Sequence, residues 1–284
     1  MKRKHKIIVT GTGYRSSDRF SESENIFQSE NIKVNIGAAT AKYLVEKGFD
    51  IVLLSRTEDK LKKIQTDLKK LFPQVDISYY PLDILNESDV ANFFKTLSTE
   101  FTYSYVHSAG LSTANYSLKD DNPYLPIEEL PIELPTLEFT TVVQSLLLMV
   151  RGFLPFFKNQ DTSRVVVINS MSGIRSYPLG YSHSSAKGGL HNAVRALSLE
   201  LSKRNIFFSE IMPGIVDTGL YDTEAVIKAV KKIGIEFGYD YGINGIPKMS
   251  PYCVAEVVHT CLTNSANILS INMVSQGQWT HQSA

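Results

Sequence analysis

Short β-branched runs alternate with amphipathic helical runs along the whole chain, and this alternation constrains the fold more tightly than any motif. Period-two or continuous apolar patterning predicts strands at Ile7–Thr10, Asp50–Leu54, Asp76–Tyr80, Thr102–Val106, Arg164–Ile168, Ile206–Ile211 and Leu269–Val274. Helical patterning predicts helices near 36–47, 59–71, 87–98, 136–157, 182–203, 223–233 and 251–263, with Gly48 and Pro73 standing where two of them should stop. Strands that alternate with helices imply an α/β fold: a doubly wound, mostly parallel seven-stranded sheet with helices on both faces and right-handed crossovers. In such sheets ligands bind beyond the carboxyl ends of the strands. No linker-like shift of composition divides residues 1–284, so a single domain is expected.

The composition narrows the class of partner. With 43% hydrophobic and 20% charged residues, the chain can bury a sizeable core. Lys plus Arg equals Asp plus Glu at 29 each, which argues against nucleic acid and anionic membrane and for a small-molecule partner. Cys253 and Cys261 fall eight residues apart in one predicted helix, too far along its axis for a relaxed disulfide and without neighbours at metal-binding spacing. A reducing, cytoplasmic setting and no metal are expected. The basic start MKRKHK is followed by only Ile7–Val9 before Thr10 and Gly11, far short of a signal-peptide core. The densest apolar stretch, Ser145–Val150, ends at Arg151, so no spanning helix is predicted.

The chemistry gathers in SMSGIRSYPLGYSHSSAK, Ser170 to Lys187. Ser170 stands thirteen residues before His183, which stands four before Lys187; Gly173 follows the serine, and Lys187 runs on into GGLHNAVRALSLEL. Other landmarks occur in order: Thr10 and Gly11 after the first strand, Asn35–Ile36–Gly37 opening the first helix, Ser55–Arg56, Asp83–Ile84, Ser108–Ala109–Gly110, and MPGIVDTG with Pro213, Gly214, Ile215 and Thr218. Taken singly, each has a plain reading: a turn, a solvated Arg56 before a helix, an N-cap neighbour in Asp83, a serine finishing a strand. Their order and spacing resemble the short-chain dehydrogenase/reductase family, which has a Rossmann-like fold and a tyrosine where this chain has His183.

The resemblance implies an oxidoreductase that moves hydride between a substrate carbon and nicotinamide C4. Ser170 would orient the substrate oxygen, and Lys187 would bind the nicotinamide ribose and lower the pKa of the proton-transfer group. Gly11, Asn35 and Ile36 would cradle the pyrophosphate at the helix N-terminus. Ser55, Arg56, Asp83, Ile84, Ser108, Ala109 and Gly110 would bind the adenosine side and the floor, and Pro213, Gly214, Ile215 and Thr218 the nicotinamide side. Arginine at position 56 can fork onto a 2′-phosphate that an acid would repel, so NADP(H) is expected over NAD(H).

Several positions depart from the family pattern. His183 can transfer protons near neutrality, its reference pKa being ~6.5; Tyr181, two residues earlier, is the alternative if the helix begins late. Val142 stands where the family has an asparagine, with Gln144 nearby. Three readings follow: an NADP(H)-dependent reductase or dehydrogenase, a nucleotide-binding protein that has lost hydride transfer, or a non-redox lyase or isomerase with His183 as base. Two stretches run long: about 12–34 in the glycine-rich turn, either a lid, whose Arg15, Arg19 or Lys33 could neutralise phosphate, or disordered, and about 111–135, where prolines forbid long helix. The region 219–249, with Tyr221, Phe237, Tyr239, Tyr241 and Ile243, suggests an apolar or aromatic pocket wall. The resemblance implies a homodimer or homotetramer built on the helices near 136–157 and 182–203, which relatives pair across a two-fold axis, and VVQSLLLMVRGFLPFF is apolar on more than one face, as such a helix should be.

Overall fold

The computed structural model of the chain describes residues 5–110, 124–157, 162–222, 224–237, 245–276 and 278. In chain order the elements begin with β1 (His5–Thr10), β2 (Tyr14–Ser16), β3 (Ile32–Val34), α1 (Ile36–Glu46), β4 (Asp50–Ser55), α2 (Glu58–Leu71), β5 (Ile77–Pro81), α3 (Glu87–Thr96) and β6 (Thr102–His107). They continue with α4 (Glu133–Phe139), a π-helical turn (Thr140–Gln144), α5 (Ser145–Phe153), β7 (Ser163–Ile168), α6 (Tyr181–Leu201), β8 (Ile206–Pro213), α7 (Glu224–Phe237), α8 (Pro251–Thr263) and β9 (Ser270–Met273).

Seven strands form one parallel sheet in the order β5-β4-β1-β6-β7-β8-β9. The chain winds outward from β1 through β4 to β5, then restarts at β6 on the other side, so the topological switch point lies between β1 and β6. Alternate side chains of β1 feed the two faces: Ile7 and Val9 pack with α1, α2 and α8 residues, while Ile8 packs with the α3, α5 and α6 layer. The predicted fold class is what is found.

Element ends differ from the predictions for local reasons. The helix expected over 136–157 starts at Glu133, because Pro135 falls in its first turn, where the missing N–H is not needed. It stops at Phe153: Leu154 keeps helical dihedrals (φ −51°, ψ −37°), but Pro155 after it has no N–H to continue the ladder. The strand expected over 76–80 runs from Ile77 to Pro81, and the edge strand is only Ser270–Met273. Of the extension at 111–135, residues 111–123 lie outside the described residues; so do Tyr239, Tyr241 and Ile243, and the side chain of Phe237.

Residues 12–34, expected as a lid or as disorder, are folded against the body. β2 and β3 pair antiparallel, and Ile26, Ile32 and Val34 are buried in the core on the α1 and α2 side. Each such burial contributes about 1.5–3 kcal/mol. Asp67 of α2 is fully buried and accepts from Ile26 N at 3.0 Å and from Lys63 Nζ at 2.9 Å, which anchors the segment to α2. Asn35 closes its ends. The Asn35 N–H donates to Gly13 O at 3.0 Å, the Gly13 N–H donates to Asn35 Oδ1 at 3.1 Å, and Asn35 Nδ2 donates to Gly11 O at 2.8 Å. The same Oδ1 caps α1 through Ala38 N at 2.9 Å.

Candidate active site

A cleft of about 650 Å³ opens at the carboxyl ends of the strands, across the switch point. Residues that follow β1, β4, β5, β6, β7 and β8 line it: Gly11 to Arg15, Ser55 to Thr57, Leu82 to Leu85, Ser108 to Gly110, Ser170, and Pro213 with Gly214. Asn35 and Ile36 enter from α1, and His183 and Lys187 from α6. Sixteen of the eighteen residues expected at the site thus share one cavity; Tyr181 and Ile215 do not.

Two glycines allow the turns to converge at one end. Gly11 has φ +70°, and a Cβ on it would lie 2.5 Å from Ser108 O; a Cβ on Gly37 would lie 2.5 Å from Gly11 O. The β1 turn, the β6 turn and the start of α1 therefore meet backbone to backbone. The first turn of α1 has no acidic residue, so its N-terminal partial charge is left for an anion. Arg15, Arg56 and Lys60 line the same end, with Lys60 Nζ donating to Tyr14 O at 3.1 Å. Asp83 is the single acid among the described lining residues, and its Oδ1 accepts from Leu85 N at 3.0 Å. Arg15, one of the basic residues of the 12–34 segment expected to be able to neutralise phosphate, reaches the cleft because the hairpin folds back; Lys60 was not anticipated and arrives because α2 starts beside Arg56.

At the other end, Ser170 caps a 3-10 turn, Met171–Gly173. Its Oγ accepts from Ser172 N at 3.2 Å and from Ser172 Oγ at 2.8 Å. A Cβ on Gly173 would lie 2.8 Å from Lys187 O, so this turn is seated directly on α6 and sets Ser170 relative to Lys187. Asn169 bridges the same pair of elements: its Nδ2 donates to Lys187 O at 3.1 Å and to Glu210 Oε1 at 2.5 Å. Glu210 is buried on β8 and also pairs with His191 Nδ1 at 2.6 Å.

The electrostatics of this end follow from burial. Lys187 is only 6% exposed, and loss of hydration pushes its ammonium down to about 8, against the opposing pull of Glu138 and Glu210. The His183 imidazole is held below its ordinary value, first by burial and then by the Lys187 charge. Glu138 lies against the same ring: it is fully buried on α4, with Oε2 4.0 Å from His183 Nδ1. Glu138 also escaped the sequence reading; the available signal is an acid amid the apolar stripe of a helix that must pack on the sheet. Behind them His107, at the end of β6, is buried between Tyr105 (OH to Nδ1, 2.6 Å) and Ser145 (Oγ to Nε2, 3.5 Å). Burial depresses it to about 3.

The two residues outside the cavity have clear reasons. Tyr181 is the first residue of α6, so it is turned roughly 200° from His183 and is 41% exposed. The alternative that required a later helix start is not met. Ile215 is turned inward: its N–H donates to Gln278 Oε1 at 3.0 Å, and its carbonyl accepts from Met249 N at 2.9 Å. Val142 is buried beside Gly110, where a Cβ would lie 3.7 Å from both Val142 Cγ1 and Lys187 Nζ. Among the described residues no cluster of His, Cys, Asp and Glu could hold a metal ion, and no helix is long and apolar enough to cross a membrane.

Known proteins share this architecture. A family profile described as short chain dehydrogenase matches residues 33–226, more than half of the chain. An uncharacterised oxidoreductase of Staphylococcus haemolyticus is 26% identical over 242 residues, covering 84% of this chain and 91% of its own. L-Sorbose reductase of Gluconobacter frateurii, solved with NADPH and L-sorbose, superposes with a TM-score of 0.73 at 19% identity, covering 99% of this chain and 98% of its own. An NADPH-bound short chain oxidoreductase of Pseudomonas aeruginosa PAO1, described as containing an atypical catalytic centre, superposes with a TM-score of 0.72 at 19% identity, covering 98% and 97%. With its β1–α1 turn, its single parallel sheet and its profile match, the chain belongs to the short chain dehydrogenase family.

Proposed function

We propose that this single-domain protein is an NADP(H)-dependent oxidoreductase of the short chain dehydrogenase type that reduces a carbonyl, or oxidises an alcohol, on a small apolar or aromatic molecule. The observation that carries this reading is one cleft with Ser170, His183 and Lys187 at one end and Arg15, Arg56 and Lys60 at the other. On this reading His183 stands where the family has tyrosine, and residues 12–34 are an insertion in its glycine-rich turn.

The lining fits a dinucleotide phosphate. Four cationic side chains face one acid, and the α1 N-terminus adds its dipole. Arg56 after β4 favours a 2′-phosphate; two superposed relatives were solved with NADPH. When bound, the cofactor supplies or accepts the hydride.

The chain's own residues handle the proton and the substrate oxygen. Both acceptor positions of Ser170 Oγ are taken by Ser172, which leaves its O–H to donate to a substrate oxygen in the cleft. His183, held below the ordinary imidazole range, is neutral at pH 7 and takes a proton in the oxidation direction. Lys187 keeps its ammonium at pH 7, below its value of about 8. Leu220 and Tyr221 supply an apolar wall.

Exposed Leu147 at 44%, Phe139 at 47% and Leu199 at 80%, on α5, α4 and α6, support a homo-oligomer built on those helices. Light scattering at micromolar concentration should give a multiple of 31.8 kDa. Two free cysteines, Cys253 exposed and Cys261 buried, fit a cytoplasmic setting.

Turnover with NADPH against a panel of small aldehydes, ketones and alcohols tests the reading. His183→Ala should lower turnover by about 10²–10⁴-fold while NADPH affinity, read by cofactor fluorescence, stays within about twofold. A fully active His183→Ala protein, or a wild-type protein that binds neither NADPH nor NADH, would overturn it.

A further inference from the structure

We infer that Glu138 is the positioning carboxylate of His183: it holds the imidazole with Nδ1–H toward α4 and Nε2 toward the cleft. The inference rests on His183 being the proton-transfer group proposed above. Glu138 Oε2 lies 4.0 Å from His183 Nδ1, while Glu138 itself is fully buried and does not line the cleft, so it acts through the ring.

The packing that creates the pair is specific. α4 crosses α6 at Gly189, where a Cβ would lie 2.8 Å from Phe139 Cε2, so the glycine lets the two helices approach. That approach brings Glu138 against the first turns of α6. Two basic groups of that helix then face it, His183 and Lys187. The π-helical turn that starts at Thr140 adds a residue directly after α4, and Thr141 from that turn reaches the cleft wall. Nδ1 is the His183 ring nitrogen that faces the carboxylate, at 4.0 Å, so a neutral imidazole turns an N–H toward Glu138 only as the Nδ1–H tautomer.

The consequence is a defined tautomer. With Nδ1 protonated, the lone pair lies on Nε2, pointing into the cleft as a base. In the oxidation direction the alcohol O–H bond breaks and its proton goes to Nε2. A bound oxidised nicotinamide would be the two-electron acceptor for the hydride from the same carbon, so that the alcohol becomes the carbonyl and its proton remains on the ring as an imidazolium. Glu138 stabilises that imidazolium, and Lys187 opposes it. Among the described residues, Lys187 of α6 lowers the His183 pKa and Glu138 of α4 lies 4.0 Å from its Nδ1; Glu210 of β8 and His107 of β6 bear on or feel Lys187.

Two measurements on the whole protein test this. In protein labelled with ¹⁵N-histidine, the His183 ring should show the Nδ1–H neutral tautomer at pH 7; the Nε2–H tautomer would overturn the inference. Glu138→Gln should move the His183 titration, and the acid limb of the kcat profile for oxidation, to lower pH. It should also lower kcat roughly tenfold or more while substrate KM and NADPH affinity stay within about twofold. Glu138→Asp should recover part of kcat. A folded Glu138→Gln protein with unchanged ring titration and pH profile makes Glu138 merely structural and sinks the inference. If His183→Ala still turns over, the functional reading fails instead; if His183→Ala is dead and Glu138→Gln is unaltered, that reading stands and only this inference falls.

Discussion

Lys33 Nζ lies 2.6 Å from Asp217 Oδ2, an ion pair between residues 184 positions apart. It fastens the β2–β3 hairpin to the loop that follows β8. Arg15 packs on the same loop, its Cδ lying 3.1 Å from where a Gly219 Cβ would be. The hairpin therefore leaves the β1–α1 turn and is latched to the far wall of the cleft.

Breaking this latch should change cofactor release more than stability. The Lys33 and Asp217 side chains are 46% and 31% exposed, so the pair is worth at most about 1 kcal/mol. Lys33→Met should leave the urea midpoint nearly unchanged and raise the NADPH off-rate several-fold in stopped-flow displacement. The hydrogen bond to Asp217 raises the Lys33 pKa, so the pair persists below the unfolded lysine value and is lost only as pH rises through the folded one. Between pH 6 and 9 the off-rate should respond to salt rather than to pH.

Cofactor choice should follow the cations at the β4 end. Arg56→Glu is expected to weaken NADPH about 10–100-fold, or roughly 1.4–2.7 kcal/mol, and to weaken NADH far less. Arg15→Ala should weaken NADPH alone, by a smaller factor. Fluorescence titration with both cofactors measures the ratio; equal losses for the two would remove the 2′-phosphate assignment.

Acid should destabilise the fold earlier than the carboxylates require. His107 and His183 are both depressed by burial and by Lys187. Below the ordinary imidazole value of ~6.5, the unfolded chain binds protons that the folded chain refuses. Stability therefore falls as pH drops from there toward the folded values, by up to about 1.4 kcal/mol per pH unit for each group. Urea midpoints between pH 7 and 4.5 should show this slope, and His107→Gln should reduce it.

Asn35 should matter beyond its cap. Its side chain joins Gly11, Gly13 and Ala38, so Asn35→Ala removes an N-cap and opens the base of the 12–34 segment together. A loss of about 1–3 kcal/mol is expected, with weaker NADPH binding because the phosphate turn loosens. Asn35→Asp keeps the acceptor toward Gly13 and Ala38 but not the donor toward Gly11. It should fall between the two in thermal unfolding.

Residues whose role depends on local pattern were legible early. Alternating β and α periodicity predicts the sheet, and Ser170, His183 and Lys187, singled out by the family resemblance, all line the cleft, with His183 and Lys187 one turn apart on α6. Lys60 and Glu138 were not legible. Each reaches the site through a contact between elements distant in sequence, and no local period records which helix crosses which.

The sequence alone thus determined the element order, the parallel sheet and the end of it that carries the cleft, since strand and helix periods and right-handed crossovers are properties of short segments. Only the tertiary structure decided that residues 12–34 pack into the core, that Tyr181 faces outward, and that a buried carboxylate stands beside His183. Those outcomes depend on close approaches at Gly37 and Gly189 and on the hydrogen bonds of Asn35, which exist only once the chain has folded.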